Sequence, residues 1–158
     1  MNRMEAIRYI LARHPGAAVI FCNGLNSREA SHLAHRPGNF YLLHGMGEAL
    51  SVGLGLRQSR PDLEVVVVDG DGNAAMGLGA WTSLPCDGVH YYVLKNSCYE
   101  TTGGQAVPDL PFSHDAVQVM VVDPGITGTP NPPPAAQIKL EFQQWLADRG
   151  RQEKGINE

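Results

Sequence analysis

The chain has 158 residues, of which 43% are hydrophobic and 18% charged, and it carries a formal net charge of −4. That length suits one domain with a core of its own, the composition excludes disorder, and the acidic balance excludes the basic footprint of a nucleic-acid or membrane-surface protein. Cys22, Cys86 and Cys98 are odd in number and sit among apolar or small residues, which argues against a disulfide framework and for a cytoplasmic location.

The first segment, MNRMEAIRYILARHPG, lacks the apolar stretch of a secretion signal and predicts an amphipathic helix over about residues 2–13, closed by His14-Pro15-Gly16. No apolar run approaches the roughly 20 residues of a membrane span. A short buried strand is expected over 17–22, then a polar turn, Asn23-Gly24-Leu25-Asn26, with Ser27 as the N-cap of a helix to about His35. After the stop Arg36-Pro37-Gly38, residues 39–43 read as extended. His44-Gly45-Met46-Gly47 then precedes a small-residue helix, 48–58, whose Gly53 and Gly55 permit close packing on a sheet. The β-branched run Glu64 to Asp69 is the strongest strand signal. Gly70-Asp71-Gly72 ends it, a helix is expected over 73–84, and Val89 to Leu94 forms a further strand. A polar stretch, Lys95 to Gln105, a strand over 117–122, a proline-rich link and an amphipathic helix over 135–148 follow. The expected organisation is one domain over 1–149 with a loose tail over 150–158.

Strands alternating with helices specify an α/β fold, a mostly parallel sheet with helices on both faces, whose ligands sit at the carboxyl ends of the strands. Three polar, glycine-bearing segments occupy those positions: 24–27, 70–73 and 95–105. Glycines on both sides of Asp71 let the backbone turn sharply and approach a phosphate, and the Asp71 carboxylate is a hard oxygen ligand suited to Mg²⁺. Asn96, twenty-five residues later and one strand across, adds an amide oxygen. A carbonyl in the loop after it, most naturally that of Cys98, completes the protein's share. A glycine-flanked aspartate alone also ends many ordinary strands, so the combination with Asn96 is the specific signal.

Together these motifs resemble the diphosphate-binding, C-terminal domain of thiamine diphosphate enzymes, whose signature joins a GDG to a downstream asparagine. The resemblance is closer to phosphonopyruvate and sulfopyruvate decarboxylases, in particular the β chain of two-chain members. It rests on SRE at Ser27 to Glu29, RPGNFYLLHGMG at Arg36 to Gly47, VVVVDGDGNAAMGLGAW at Val65 to Trp81 and KNSCYETTGGQ at Lys95 to Gln105. It implies that Asp71, Asn96 and the Cys98 carbonyl hold Mg²⁺. It implies further that Gly24, Asn26, Ser27, Gly45, Gly47, Gly70, Gly72, Asn73, Ala74, Tyr99 and Glu100 surround thiamine diphosphate.

By the same resemblance Met46 is the apolar residue that wedges the cofactor into its bent form, with His44 beside it at the catalytic centre; a lone Met is also an ordinary core filler. The glutamate that activates the cofactor is expected on a separate α-type subunit, hence a hetero-oligomer, acting on a small anionic 2-oxo acid. Arg28, His44 and Lys95 are candidate partners for the substrate's anion, and Thr101 to Gln105 reads either as a flexible loop or as a segment closing over the site. His32 and His35, with Cys22, suggest either a transition-metal site or plain solvated and capping histidines.

Some positions depart from the family. Lys95 stands where Asp or Asn is usual, and Gly45 follows His44 where Gly-Ser is common. The dozen or so residues between Gln105 and Val117 replace a helix and strand, so either that unit is deleted or the sheet edge is rebuilt. These departures keep two rivals to decarboxylation in play: a carboligase or acyl-transfer synthase subunit, and a non-catalytic supporting subunit.

Overall fold

A computed structural model describes residues 1–109 and 114–154, with side chains as far as Arg149. Its elements follow the chain as α1 (Arg3–Arg13), β1 (Ala18–Phe21), α2 (Leu25–Ala34), β2 (Asn39–Tyr41), α3 (Ala49–Ser59) and β3 (Val65–Gly70). Then come α4 (Asp71–Met76), a 3₁₀ segment (Leu78–Ser83), β4 (Val89–Lys95), β5 (Val117–Val121) and α5 (Ala135–Lys154). The five strands pair in the order β2-β1-β3-β4-β5, and every pairing is parallel.

Parallel strands need crossovers, and the crossover helices cover both faces of this sheet, which is why β3 reads as an unbroken apolar run. Alternation along the strands sends Ala18, Ile20, Val65, Val67, Tyr91 and Val93 into one core with α3 and Trp81. Val19, Phe21, Val66, Val68, Tyr92 and Leu94 enter the other, against Ile7 and Ile10 of α1 and Ala30 of α2. α5 straddles the β2 edge, with Ile138 in the second core and Phe142 in the first, its ring 5.3 Å from that of Phe40. At the other edge β5 lies directly beside β4, with Val121 74% exposed, so among the described residues no strand stands between or beyond them, as the reading of a deleted unit expects.

α1 opens on a reciprocal cap, with Glu5 N donating to Asn2 Oδ1 and Asn2 N to Glu5 Oε2, both at 2.9 Å. Four expectations need correction. Ser27 is not an N-cap: α2 starts at Leu25 after Gly24, whose φ of 85° turns the chain straight from β1 into the helix. The helix expected over 73–84 divides at Gly77, where the backbone meets Gly47 so closely that a Cβ would overlap the Gly47 carbonyl. Gly53 does sit against β3, where a Cβ would overlap Val67, whereas Gly55 faces open space. α5 continues to Lys154, so residues 150–154, expected to be loose, are helical: one glycine costs about 1 kcal/mol in a helix, and helix formers follow it. Residues 155–158 of that expected tail lie outside the described residues.

Candidate functional site

In this strand order the chain leaves β1 toward β2 on one side, while β3 lies on the other, so the loops after β1 and β3 diverge and open a crevice at their carboxyl ends. A cleft lies there. It is lined from β1 and its loop by Cys22 to Asn26, from β3 and α4 by Gly70 to Asn73, and from β4 and its loop by Leu94, Asn96 and Cys98 to Thr101, with Met46 and Arg3 at its border.

Asp71 is buried at the head of α4, and its carboxylate accepts from Ser97 N at 2.6 Å and Gly72 N at 3.0 Å. Burial pushes its pKa above the usual carboxylate range, against the lowering effect of those amides. Ser97 takes a left-handed φ of 63° to present that amide. Asn96 is fixed at both ends: Oδ1 accepts from Cys98 N at 3.1 Å, and Nδ2 donates to Glu100 Oε2 at 2.6 Å. Glu100 in turn takes the guanidinium of Arg3 and the amide of Gly125. The other arm of Arg3 donates to Glu29 at 2.7 Å, and Thr127 Oγ1 donates to the same oxygen at 2.8 Å. Arg3 and Glu29 are 6% and 1% exposed, so this is a buried pair beneath the cleft, and Glu29 Oε2 has no hydrogen-bond partner among the described residues.

The donor set fits a hard divalent cation carrying a diphosphate. Asp71 and Asn96 offer oxygen, and Cys98 borders the same cleft. Gly72 lies so close to the Tyr99 ring that a Cβ would overlap it, which keeps the floor narrow. Asn23 Oδ1 is buried at the wall with no partner among the described residues, an acceptor that a bound group or a water has to satisfy.

Gly45 and Gly47 take φ of 81° and 87°, and Gly47 N donates to Asn73 Oδ1 at 3.2 Å, so the two left-handed residues lift Met46 to the cleft border. Met46 is 36% exposed, which removes the core-filler reading. Beneath, Asp69 is fully buried, accepts from the Tyr91 phenol at 3.0 Å and is pushed up to about 6 by burial. Cys22 beside it accepts from Asn26 Nδ2 at 3.2 Å, and burial pushes its thiol well up, so it stays an unreactive neutral group.

The cleft therefore gathers Gly24, Asn26, Met46, Gly70, Asp71, Gly72, Asn73, Asn96, Cys98, Tyr99 and Glu100. It does not gather Ser27, whose hydroxyl lies 2.6 Å from the Cys22 carbonyl and 3.1 Å from that of Leu42, tying α2 to the ends of β1 and β2. Ala74 is buried in the core behind the cleft. His44 and Arg28 line a neighbouring groove with Leu42, Leu43 and Asn131 to Pro134, which meets the cleft at Asn23, Gly24 and Thr101. Lys95 lies 3.9 Å from Asp109. The exposed turn 101–105 projects between two ladder bonds, Tyr99 N to Gln105 O and Val107 N to Ser97 O. His35 bonds Tyr41 and Glu141 rather than Cys22.

Arg3 went unread at the cleft. The available signal was its place on the Ile7–Ile10 stripe of α1, because a charge in a buried stripe demands a buried partner.

The family described as thiamine pyrophosphate enzyme, C-terminal TPP binding domain, matches residues 23–138. Phosphonopyruvate decarboxylase of Streptomyces hygroscopicus is 41% identical over 119 residues, which are 70% of this chain and 29% of that protein. Sulfopyruvate decarboxylase subunit beta of Methanothermobacter thermautotrophicus is 39% identical over 108 residues, 66% of this chain and 58% of that one. The corresponding subunit of Methanocaldococcus jannaschii is 36% identical over 108 residues, 66% and 57% of the two chains. The matched part thus spans less than two thirds of each of these relatives.

Proposed function

The chain belongs to the thiamine pyrophosphate enzymes as their C-terminal TPP binding domain, and on that premise we propose that it is the β-type subunit of a two-chain decarboxylase for 2-oxo acids bearing a second anionic group, such as phosphonopyruvate or sulfopyruvate. The observation that carries this is the convergence of Asp71, Asn96 and Cys98 at the carboxyl ends of β3 and β4, beneath an outward-facing Met46. The names of the relatives supply the substrate class and, through the word subunit, a partner chain.

Asp71, the Asn96 amide oxygen and the Cys98 carbonyl would hold Mg²⁺, and Gly70, Gly72 and Asn73 would leave the backbone accessible to a diphosphate. Bound there, thiamine diphosphate would supply an electron sink for loss of CO₂. Met46 presents an apolar surface that would exclude water and hold the cofactor in place at the cleft border. Arg28, in the groove that joins the cleft at Gly24 and Thr101, would provide positive charge for the substrate's distal anion, with His44 beside it as a hydrogen-bonding partner. The turn 101–105 covers the junction of the two. An α-type partner would complete the site by supplying the glutamate that activates the cofactor.

The test uses the complex of this chain with that partner, thiamine diphosphate and Mg²⁺, and measures CO₂ and aldehyde from sulfopyruvate and phosphonopyruvate. Aldehyde release abolished by Asp71→Ala is expected. CO₂ from neither acid overturns the decarboxylase reading, and a coupled carbon–carbon product in place of aldehyde assigns carboligation instead.

A further inference from the structure

At the end of the sheet opposite the cleft, three side chains from distant parts of the chain meet. His14 caps α1 at its C-terminus, Glu64 immediately precedes β3, and His90 is the second residue of β4, brought across by the pairing Val65↔Val89. His14 Nδ1 lies 2.6 Å and His90 Nε2 3.1 Å from the same oxygen, Glu64 Oε1, and all three ligand atoms lie within 4.8 Å of one another. The far nitrogen of His14 is 2.9 Å from the buried Tyr92 phenol.

From this arrangement we propose that His14, Glu64 and His90 form a binding site for a divalent transition metal ion of the zinc class, unrelated to the Mg²⁺ position at Asp71. Two imidazoles and one carboxylate are a ligand set that zinc uses where a coordination position stays open, and imidazole nitrogen selects against Mg²⁺ and Ca²⁺. Tyr92 provides the outer contact that orients a ligating histidine. With Nε2–H donated to the phenol, Nδ1 is left to be shared with the Glu64 carboxylate through a proton or, in its place, a metal ion. The opposite tautomer puts a proton there, which the metal displaces.

Ligands on a tetrahedral zinc with bonds near 2.0 Å lie roughly 3.3 Å apart, so the His14–Glu64 contact opens by about 0.7 Å on binding. Glu64 and His90 can make that adjustment, because their side chains are 43% and 40% exposed, and the same exposure admits water to the remaining position. The ion would clamp the C-terminus of α1 to the starts of β3 and β4.

The whole chain, metal-free, is titrated with Co²⁺ as a spectroscopic stand-in and melted with and without Zn²⁺. Visible d–d absorption and a Zn²⁺-dependent rise in Tm are expected. In His90→Gln and Glu64→Gln, whose parent side chains are partly exposed and cost the fold little, the Co²⁺ affinity read from the titration falls at least about 100-fold and the Tm rise shrinks, and in Tyr92→Phe the affinity falls roughly 10- to 100-fold. Asp71→Ala keeps both. Absence of the absorption overturns the proposal, as does a signal indifferent to His90→Gln and Glu64→Gln or abolished by Asp71→Ala.

Discussion

Single residues at the cleft divide between those that face the ligand and those that hold the facing residues still. Arg3 belongs to the second kind: it neutralises Glu29 and Glu100, and Glu100 orients the Asn96 amide. Arg3→Met strands two buried carboxylates, so the stability measured by urea unfolding falls by about 3–5 kcal/mol. In the fraction that folds, the proposed Mg²⁺ binding at Asp71 and Asn96 should weaken roughly 10- to 100-fold, the effect of losing an outer-shell partner. Met46 behaves in the opposite way. It is 36% exposed, so Met46→Ala changes stability by only about 0.5 kcal/mol. Its loss of a positioning surface should lower kcat of the assembled enzyme by about 100-fold while Mg²⁺-dependent cofactor binding persists. A Met46→Ala enzyme with full kcat would remove the wedge role.

Elements are set against one another at contacts that tolerate no added atom. α3 crosses β3 at Gly53, where a Cβ would overlap Val67 Cγ2. Ala is a better helix former than Gly by about 1 kcal/mol, but an extra methyl in a packed core costs about 1–3 kcal/mol. Gly53→Ala is therefore destabilising by about 1 kcal/mol, and Gly53→Val by more than twice that, read as lowered urea midpoints with unchanged m. Gly55→Ala faces open space and should instead stabilise by up to about 1 kcal/mol. Equal effects at the two glycines would show that α3 does not lie on β3 as described.

For the molecule as a whole, stability has an alkaline limit built into the sheet. Tyr41 on β2 is buried, accepts from Asn39 Nδ2 at 3.1 Å, and burial pushes its phenol up to about 12. The folded chain keeps this proton after the unfolded chain has begun to lose it near 10, so its contribution is complete below pH 10 and is lost as pH rises toward 12. Tyr41→Phe should remove up to about 3 kcal/mol of the stability change between those limits. An unaltered alkaline slope would show the phenol to be exposed. Ligand linkage acts at the same scale: in the assembled complex, thiamine diphosphate at 100 times its Kd should raise stability by about 2.7 kcal/mol with Mg²⁺ present, and chelation should abolish the rise.

Much of the fold and the cleft was legible because it is local. The run Val65–Val68 states its backbone conformation where it stands, and parallel pairing then follows from alternation with helices; the left-handed φ of Gly45 and Gly47, and the ordinary φ of −97° at Gly70, are set by the packed structure. Sequence by itself therefore determined an α/β sheet, the strand ends that carry the chemistry, and Asp71 and Asn96 as neighbours across two adjacent strands. Tertiary structure alone decided that Ser27 turns away to the carbonyls of Cys22 and Leu42, and that His44 and Met46, two residues apart, border different cavities. It also decided that Arg3 reaches Glu100 and that His14, Glu64 and His90 meet. These pairings join residues far apart in the chain or on opposite sides of a turn, and their distances are set by strand order, register and crossover packing, which no local run of residues encodes.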